Sequence, residues 1–344
     1  MKKKLLLMGV CLMFAVFGAL AYFLYTDFYR KSVNHTGQVY SLKIKRVMGF
    51  DDVRQKLLDD GVISDKASFD RIAAVLQYNQ SSIKTGHYLI PVGISMSKLI
   101  KILKTGRQTP IKYTFNNLRT INDFITHASA NFDFTESEMV EILFNQEFLD
   151  SNNVDSYSLM SLFIPDTYEV YYNTSAQNLV KKLLGYHRQF WNSNGRSEKA
   201  RELGLTPAEV YTLASIVEKE TNHNDERPRI AGVYLNRLRK GMKLQADPTV
   251  VFATGEYALR RVLNEHLQID SPYNTYLYFG LPPGPIYMPS QSSIDAVLNY
   301  EKHDLLYFCA APGYNSRHLF AGTFDQHQRN AMTYRKWLNN ERIR

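Results

Sequence analysis

An α+β protein in two folded parts, behind a single apolar N-terminal helix, is what the sequence predicts. Three observations carry the prediction. An uncharged stretch runs from Leu5 to Tyr25. Short strand-like segments then alternate with helix-period segments from Val39 to Phe115. The remainder is mostly helix-periodic, with a brief aromatic strand and a stiff proline loop. A chain of 344 residues, 44% hydrophobic and 22% charged, has the composition of a globular protein and suits two domains. The predicted divisions are a cytoplasmic tip and anchor (1–26), a tether (27–39), a small α+β module (40–107) and a larger mixed α+β domain (108–344).

The N-terminal stretch is long enough for a bilayer core at about 1.5 Å rise per residue. Lys2, Lys3 and Lys4 before it orient the N-terminus to the cytoplasm and the rest of the chain outward. Arg30 and Lys31 beyond it pull the other way. Ala19-Leu20-Ala21 resembles a signal-peptide cleavage site, the competing reading, but the apolar run continues past it to Tyr25. The formal charge of +8 suits an anionic partner such as lipid headgroups or an anionic polymer. No arginine-rich tract or nucleic-acid motif accompanies it, so no nucleic-acid partner is expected. Cys11 lies in the apolar stretch and Cys309 far from it, so the fold stands without a disulfide.

After the tether, Val39 to Ile44 alternates as a strand. Phe50 to Asp60 has helical spacing and ends at Gly61. Ser68 to Tyr78 predicts a helix, Gly86 to Ile90 a strand, Ser95 to Lys104 a helix stopped by Gly106, and Pro110 to Phe115 a strand. In the second part, Ile121 to Ala130 and Glu136 to Phe144 read as helices. Residues 162–174 read as a loop and short strand, and Ala176 to Asn192 as an amphipathic helix. Pro282, Pro283 and Pro285 make a non-helical loop that suits a cleft wall.

Thr206-Pro207-Ala208-Glu209 opens a further helix with a capping box and a proline at the first helical position. Glu218 and Glu220 stand at its far end, where the helix dipole and apolar neighbours raise a carboxyl pKa. They point about 160° apart, so they cannot act as one close pair. Glu218 shares a stripe with Tyr211 and Ala214. Glu220 shares one with Leu213 and Val217, nearer the apolar centre. Periodicity leaves the choice between them open. One is a candidate acid, and the other a candidate partner for Arg227, Arg229 or Arg237. Both as solvated helix-end charges is the bland alternative.

The runs "LASIVEKET" (213–221), "ERPRIAGVYLNRLRKGMKLQADPTVVF" (226–252), "SPYNTYLYFGLPPGPI" (271–286), "YNSRHLFAGTFDQHQRN" (314–330) and "FIPDTYEV" (163–170) resemble the YceG-like endolytic murein transglycosylases. The likeness covers almost all of 160–335, and the module at 40–107 resembles the family's LysM-like subdomain. The resemblance implies cleavage within peptidoglycan glycan strands, between N-acetylmuramic acid and N-acetylglucosamine. The product would be a 1,6-anhydro end. It further implies a role in ending strand growth beside the peptidoglycan synthases, and no cofactor. It carries the catalytic role to Glu218, as the first glutamate of "VEKE". Substrate-binding candidates from the matching runs are Asn236, Arg237, Gln245, Asp247, Thr249, Tyr273, Asn274 and Tyr276, with Glu220. Asp247-Pro248 also reads as a turn start. His318 and His327 lack zinc-ligand spacing, so no metal is expected. Ser316 and Arg317 replace glycines that often precede the family's His-x-Phe run. Two rival functions remain. One is a lysozyme-like hydrolase using Asp247 as second carboxylate. The other is a wall-binding scaffold without catalysis.

Overall fold

The computed structural model describes residues 2–259, 261–313 and 315–341. The chain divides into two compact units. One comprises Met1–Tyr113, Asn131–Phe134 and Tyr168–Ser175, and the other Thr114–Ala130, Thr135–Thr167 and Ala176–Arg344.

The first unit begins with α1 (Lys2–Tyr29), a 28-residue helix. Met8, Leu12, Met13, Phe14, Phe17 and Tyr22 on it are each well exposed. The side chains of 2–7, 23, 24 and 27 lie outside the described residues, and with them the lysine flank behind the expected orientation. Among the described residues no helix is long and apolar enough to cross a membrane. There follow β1 (Val39–Ile44), α2 (Phe50–Asp59), α3 (Lys66–Val75), β2 (Gly86–Pro91) and α4 (Met96–Thr105). β1 and β2 pair antiparallel, setting Tyr40 opposite Ile90 and Leu42 opposite Tyr88. Period-2 alternation therefore puts Tyr40, Leu42, Ile44, Tyr88 and Ile90 on one face, where all are buried. They join Leu57, Phe69, Ile72, Leu99 and Ile100 from the three helices in one core. The second helix starts two residues earlier than the apolar spacing predicts. Asp65 caps it by accepting the Ala67 amide, a local bond that hydrophobic periodicity does not register. Ser95 caps α4, and Gly106 ends it in the left-handed region at φ 69°.

β3 (Ile111–Phe115) and β4 (Asp166–Val170) form a second two-stranded sheet. Between them lie α5 (Ile121–Asn131), α6 (Glu136–Leu143) and α7 (Gln146–Ser151). Beyond β4 come α8 (Ala176–Asn192), α9 (Arg196–Leu203), α10 (Pro207–Glu220), α11 (Arg227–Arg239), α12 (Asp247–Thr254) and α13 (Gln291–Leu298). The hairpin of β5 (Tyr307–Ala310) and β6 (His318–Ala321) and then α14 (Phe324–Asn340) complete the second unit. α10 is its centre and packs against α11, α12 and α13. Every residue from Val210 to Val217 is buried, so burial covers the helix all round. The capping box forms as the sequence predicts, with the Thr206 hydroxyl accepting the Glu209 amide and the Glu209 carboxylate accepting the Thr206 amide. Asp247 and Pro248, expected to start a turn, instead start α12, where proline suits the first turn.

Candidate active site

All-round burial of α10 ends abruptly at Glu218, Lys219 and Glu220. Their directions around the helix send the two glutamates into different cavities. Glu218 lines a cavity of about 310 Å³ with Asn116, Asn117, Asp166 and Gln291. Its Oε2 accepts both the backbone N–H of Ser290 at 2.6 Å and the Ser290 hydroxyl at 2.7 Å. Ser290 is the N-cap of α13. Glu218 therefore ties the end of one helix to the start of another through two short hydrogen bonds.

Glu220 lines a larger cavity, about 660 Å³, with Asp247, Pro248, Phe252, Tyr257 and Ile286. The Tyr234 hydroxyl, from α11, donates to its Oε1. Among the described residues Oε2 accepts no hydrogen bond, so it is left for a ligand. Burial pushes this carboxyl up to about 7. The Tyr234 bond and the Arg237 charge oppose the rise, and the Asp247 charge adds to it. Half of such groups hold a proton at neutral pH, as a general acid requires.

Asp247 is positioned from several directions. Its Oδ1 accepts the Tyr276 hydroxyl at 2.5 Å. Burial, then this bond, drives the Tyr276 phenol well up. The loop carrying Tyr276 is latched to the start of α12. The Gln245 amide donates to the Thr275 carbonyl at 3.1 Å and the Ala246 amide to the Thr275 hydroxyl at 3.0 Å. Buried Thr249 bonds the Ala246 carbonyl at 2.7 Å and the Thr275 hydroxyl at 2.8 Å. Buried Asn274 donates to the carbonyls of Leu267 and Ile269, fixing the preceding turn. Arg237 gives its guanidinium to the carbonyls of Leu306 at 2.6 Å and Leu244 at 2.7 Å. Asn236 donates to the carbonyls of His303 and Leu305.

The sequence candidates thus separate. Glu220, Asp247 and Tyr276 form one polar network. Thr249, Asn274, Asn236 and Arg237 make the framework that aims it. Gln245 is exposed, at φ 49°. Tyr273 packs its ring 4.6 Å from Phe252, which lines the cavity, and burial raises its phenol to about 12. None of the three arginines forms an ion pair with Glu218 or Glu220. Arg229 pairs with Glu301, Arg227 bonds the Ser290 and Ser292 hydroxyls, and Arg237 bonds backbone. Arg227 nonetheless reaches the serine that Glu218 engages, and the Arg237 charge is felt at Glu220. The proline loop is non-helical, and Ile286 at its end lines the larger cavity. Ile286 donates its amide to Ser215 of α10, and a Cβ on Gly284 would fall 2.0 Å from the Tyr157 carbonyl, so only glycine fits there. Ser316, where glycine is frequent, keeps a left-handed φ of 53°. Beside it, Arg317 pairs with Asp225, and His318 bonds buried Glu226. Among the described residues no group of three or more His, Cys, Asp or Glu side chains could hold a metal ion.

Tyr234 and Ser290 are functional partners the sequence reading missed. Tyr234 follows Ile230 by four residues on a buried face, so its hydroxyl needed an acceptor. No local signal points to Ser290, which lies 72 residues from Glu218.

The cleft thus brings together a carboxyl of raised pKa, a second carboxyl group and the tyrosines bonded to them, side chains of the types that acid–base chemistry uses. The chain belongs to the YceG-like family, whose model matches residues 42–333. An endolytic murein transglycosylase of Bacillus subtilis is 30% identical over 270 residues, 72% of each chain. One of Streptococcus pneumoniae is 34% identical over 178 residues, 51% of this chain and 32% of that protein. The crystal structure of a YceG-like protein from Listeria monocytogenes superposes with a TM-score of 0.57 at 26% identity, covering 85% of this chain and 98% of that one.

Proposed function

We propose that this chain is an endolytic murein transglycosylase in which Glu220 is the single acid–base group. The observation that carries the assignment is a carboxyl raised to about 7 inside the larger cavity, with one oxygen unengaged. The resemblance carries the role to Glu218, which the Ser290 amide and hydroxyl engage in the smaller cavity; this reading moves it to Glu220, whose raised carboxyl lines the larger one. Protonated Glu220 gives its proton to the glycosidic oxygen as the bond from C1 of the muramic sugar breaks. The C6 hydroxyl oxygen of that sugar bonds to C1, and its proton returns to the Glu220 carboxylate. No water enters, and the product is a 1,6-anhydro end. The Asp247 carboxylate lies where its charge opposes the positive charge growing on the sugar. The Tyr234 bond holds the Glu220 carboxyl in place through the cycle.

The presence of Asp247 in the same cavity also favours a second reading, a muramidase with two carboxylates. Mass spectrometry of digested glycan separates them, since the anhydro product is lighter by one water. Glu220→Gln should lose about 10²- to 10⁴-fold in rate, while Glu218→Gln keeps most of it. The reverse ranking returns the catalytic role to Glu218.

The same reading includes an N-terminal anchor with the catalytic domain facing the wall. It is supported by the apolar run from Leu5 to Tyr25 and the exposed apolar side chains of α1. Held beside the membrane, the enzyme would meet newly made strands and end their growth, with the LysM-like module at 40–107 holding glycan. Partnership with the synthases belongs to this proposal, and failure to crosslink to any synthase in cells would remove it.

A further inference from the structure

The cavity holding Glu220 is also lined by Arg119, Lys219 and Arg261. Among the described residues no carboxylate lies within ion-pair distance of any of the three. Arg119 lays its guanidinium over the Tyr257 ring, 4.0 Å from the centroid, and Lys219 its ammonium over the Tyr287 ring at 4.2 Å. Aromatic faces hold the cations in position without neutralising them. The arrangement opposes itself electrostatically. Burial lowers the Lys219 pKa, the charge of Arg119 lowers it further, and the nearby Glu218 charge offsets part of the fall. Glu220 and Asp247 share the cavity, so its three cations and two carboxyls leave an excess of positive charge that focuses potential on whatever binds there. A neutral polysaccharide gives them nothing to pair with.

We propose that Arg119, Lys219 and Arg261 form a carboxylate-recognition wall, so that the Glu220 cleft selects glycan carrying an anionic substituent close to the scissile bond. This rests on the transglycosylase reading and deepens it. Guanidinium forks suit a carboxylate bidentately, and Lys219 adds a point charge. Two sources offer that chemistry on murein: the lactyl carboxylate of an unsubstituted muramic acid, and the carboxylates of its stem peptide.

The test measures binding of full-length Glu220→Gln protein, which should not cut, to three strand preparations. These are strands with stem peptides, strands stripped by an amidase so that the lactyl carboxylate is free, and stripped strands whose lactyl carboxyl is converted to a neutral methylamide. At least one charged preparation should bind about tenfold or more tighter than the methylamide, and adding Arg119→Gln with Lys219→Met should abolish the difference. Lys219→Arg should keep it. Preference for stripped strands names the lactyl group; preference for peptide-bearing strands names the stem. Equal binding of all three overturns the proposal, as does an equal loss on all three in the double variant. Wild-type protein that binds selectively yet cuts nothing would refute the catalytic reading and leave this one standing.

Discussion

Glu220 sits where four influences on one proton compete. Burial dominates and raises its pKa, the Asp247 charge adds to the rise, and the Tyr234 bond and Arg237 charge oppose it. The signs give testable shifts. Cleavage needs the protonated acid, so its rate should fall as pH rises through about 7. Tyr234→Phe removes a bond to the anion, and its descending limb should move to higher pH. Asp247→Asn removes a repelling charge, and its limb should move lower. Rate profiles of the two variants check this, and shifts in the same direction would refute the assignment. The same carboxyl links folding to pH. Its folded pKa lies above that of the unfolded chain, so its contribution is complete below about 4.3 and is lost as pH rises through about 7. Glu220→Gln should show a flatter stability profile over that window.

At the scale of elements, α10 is both core and platform. Its N-terminal capping box fixes where the helix starts, and therefore where Glu218 and Glu220 emerge at its other end. Thr206→Ala should lower unfolding free energy by about 1 kcal/mol, read as an earlier denaturant midpoint. Glu218→Gln weakens the tie to α13 and should cost about 1–2 kcal/mol. Most of this level was legible in sequence. The ends of α8 and α10 follow from apolar periodicity and from Thr206-Pro207. The start of α12 was not legible, because Asp-Pro opens turns and helices alike and only the Thr249–Thr275 latch decides between them. The Tyr234–Glu220 pairing escaped because it joins two helices fourteen residues apart, beyond any helical repeat.

For the whole molecule, the chain divides into two units, and both glutamate cavities are lined by residues of the second. Removing residues 1–29 should shift the protein from the membrane pellet to the supernatant, while the full chain resists a high-salt wash. If salt releases the full chain, its +8 charge on anionic lipid accounts for attachment and the anchor is wrong. The strand–helix alternation of 39–115 was legible as a small α+β module. The contact unit also takes in Asn131–Phe134 and Tyr168–Ser175, which no local pattern assigns to it.

By itself the sequence determined the α+β class, the capped helix with two carboxyls at its end, and the family. Each of these is written in spacing or in contiguous runs of residues. Only tertiary structure decided which carboxyl faces the larger cleft with an oxygen to spare. Periodicity gives a side chain its direction around its own helix. Burial, the Tyr234 hydroxyl and the Asp247 charge arrive from other helices, and those neighbours set the proton affinity of Glu220.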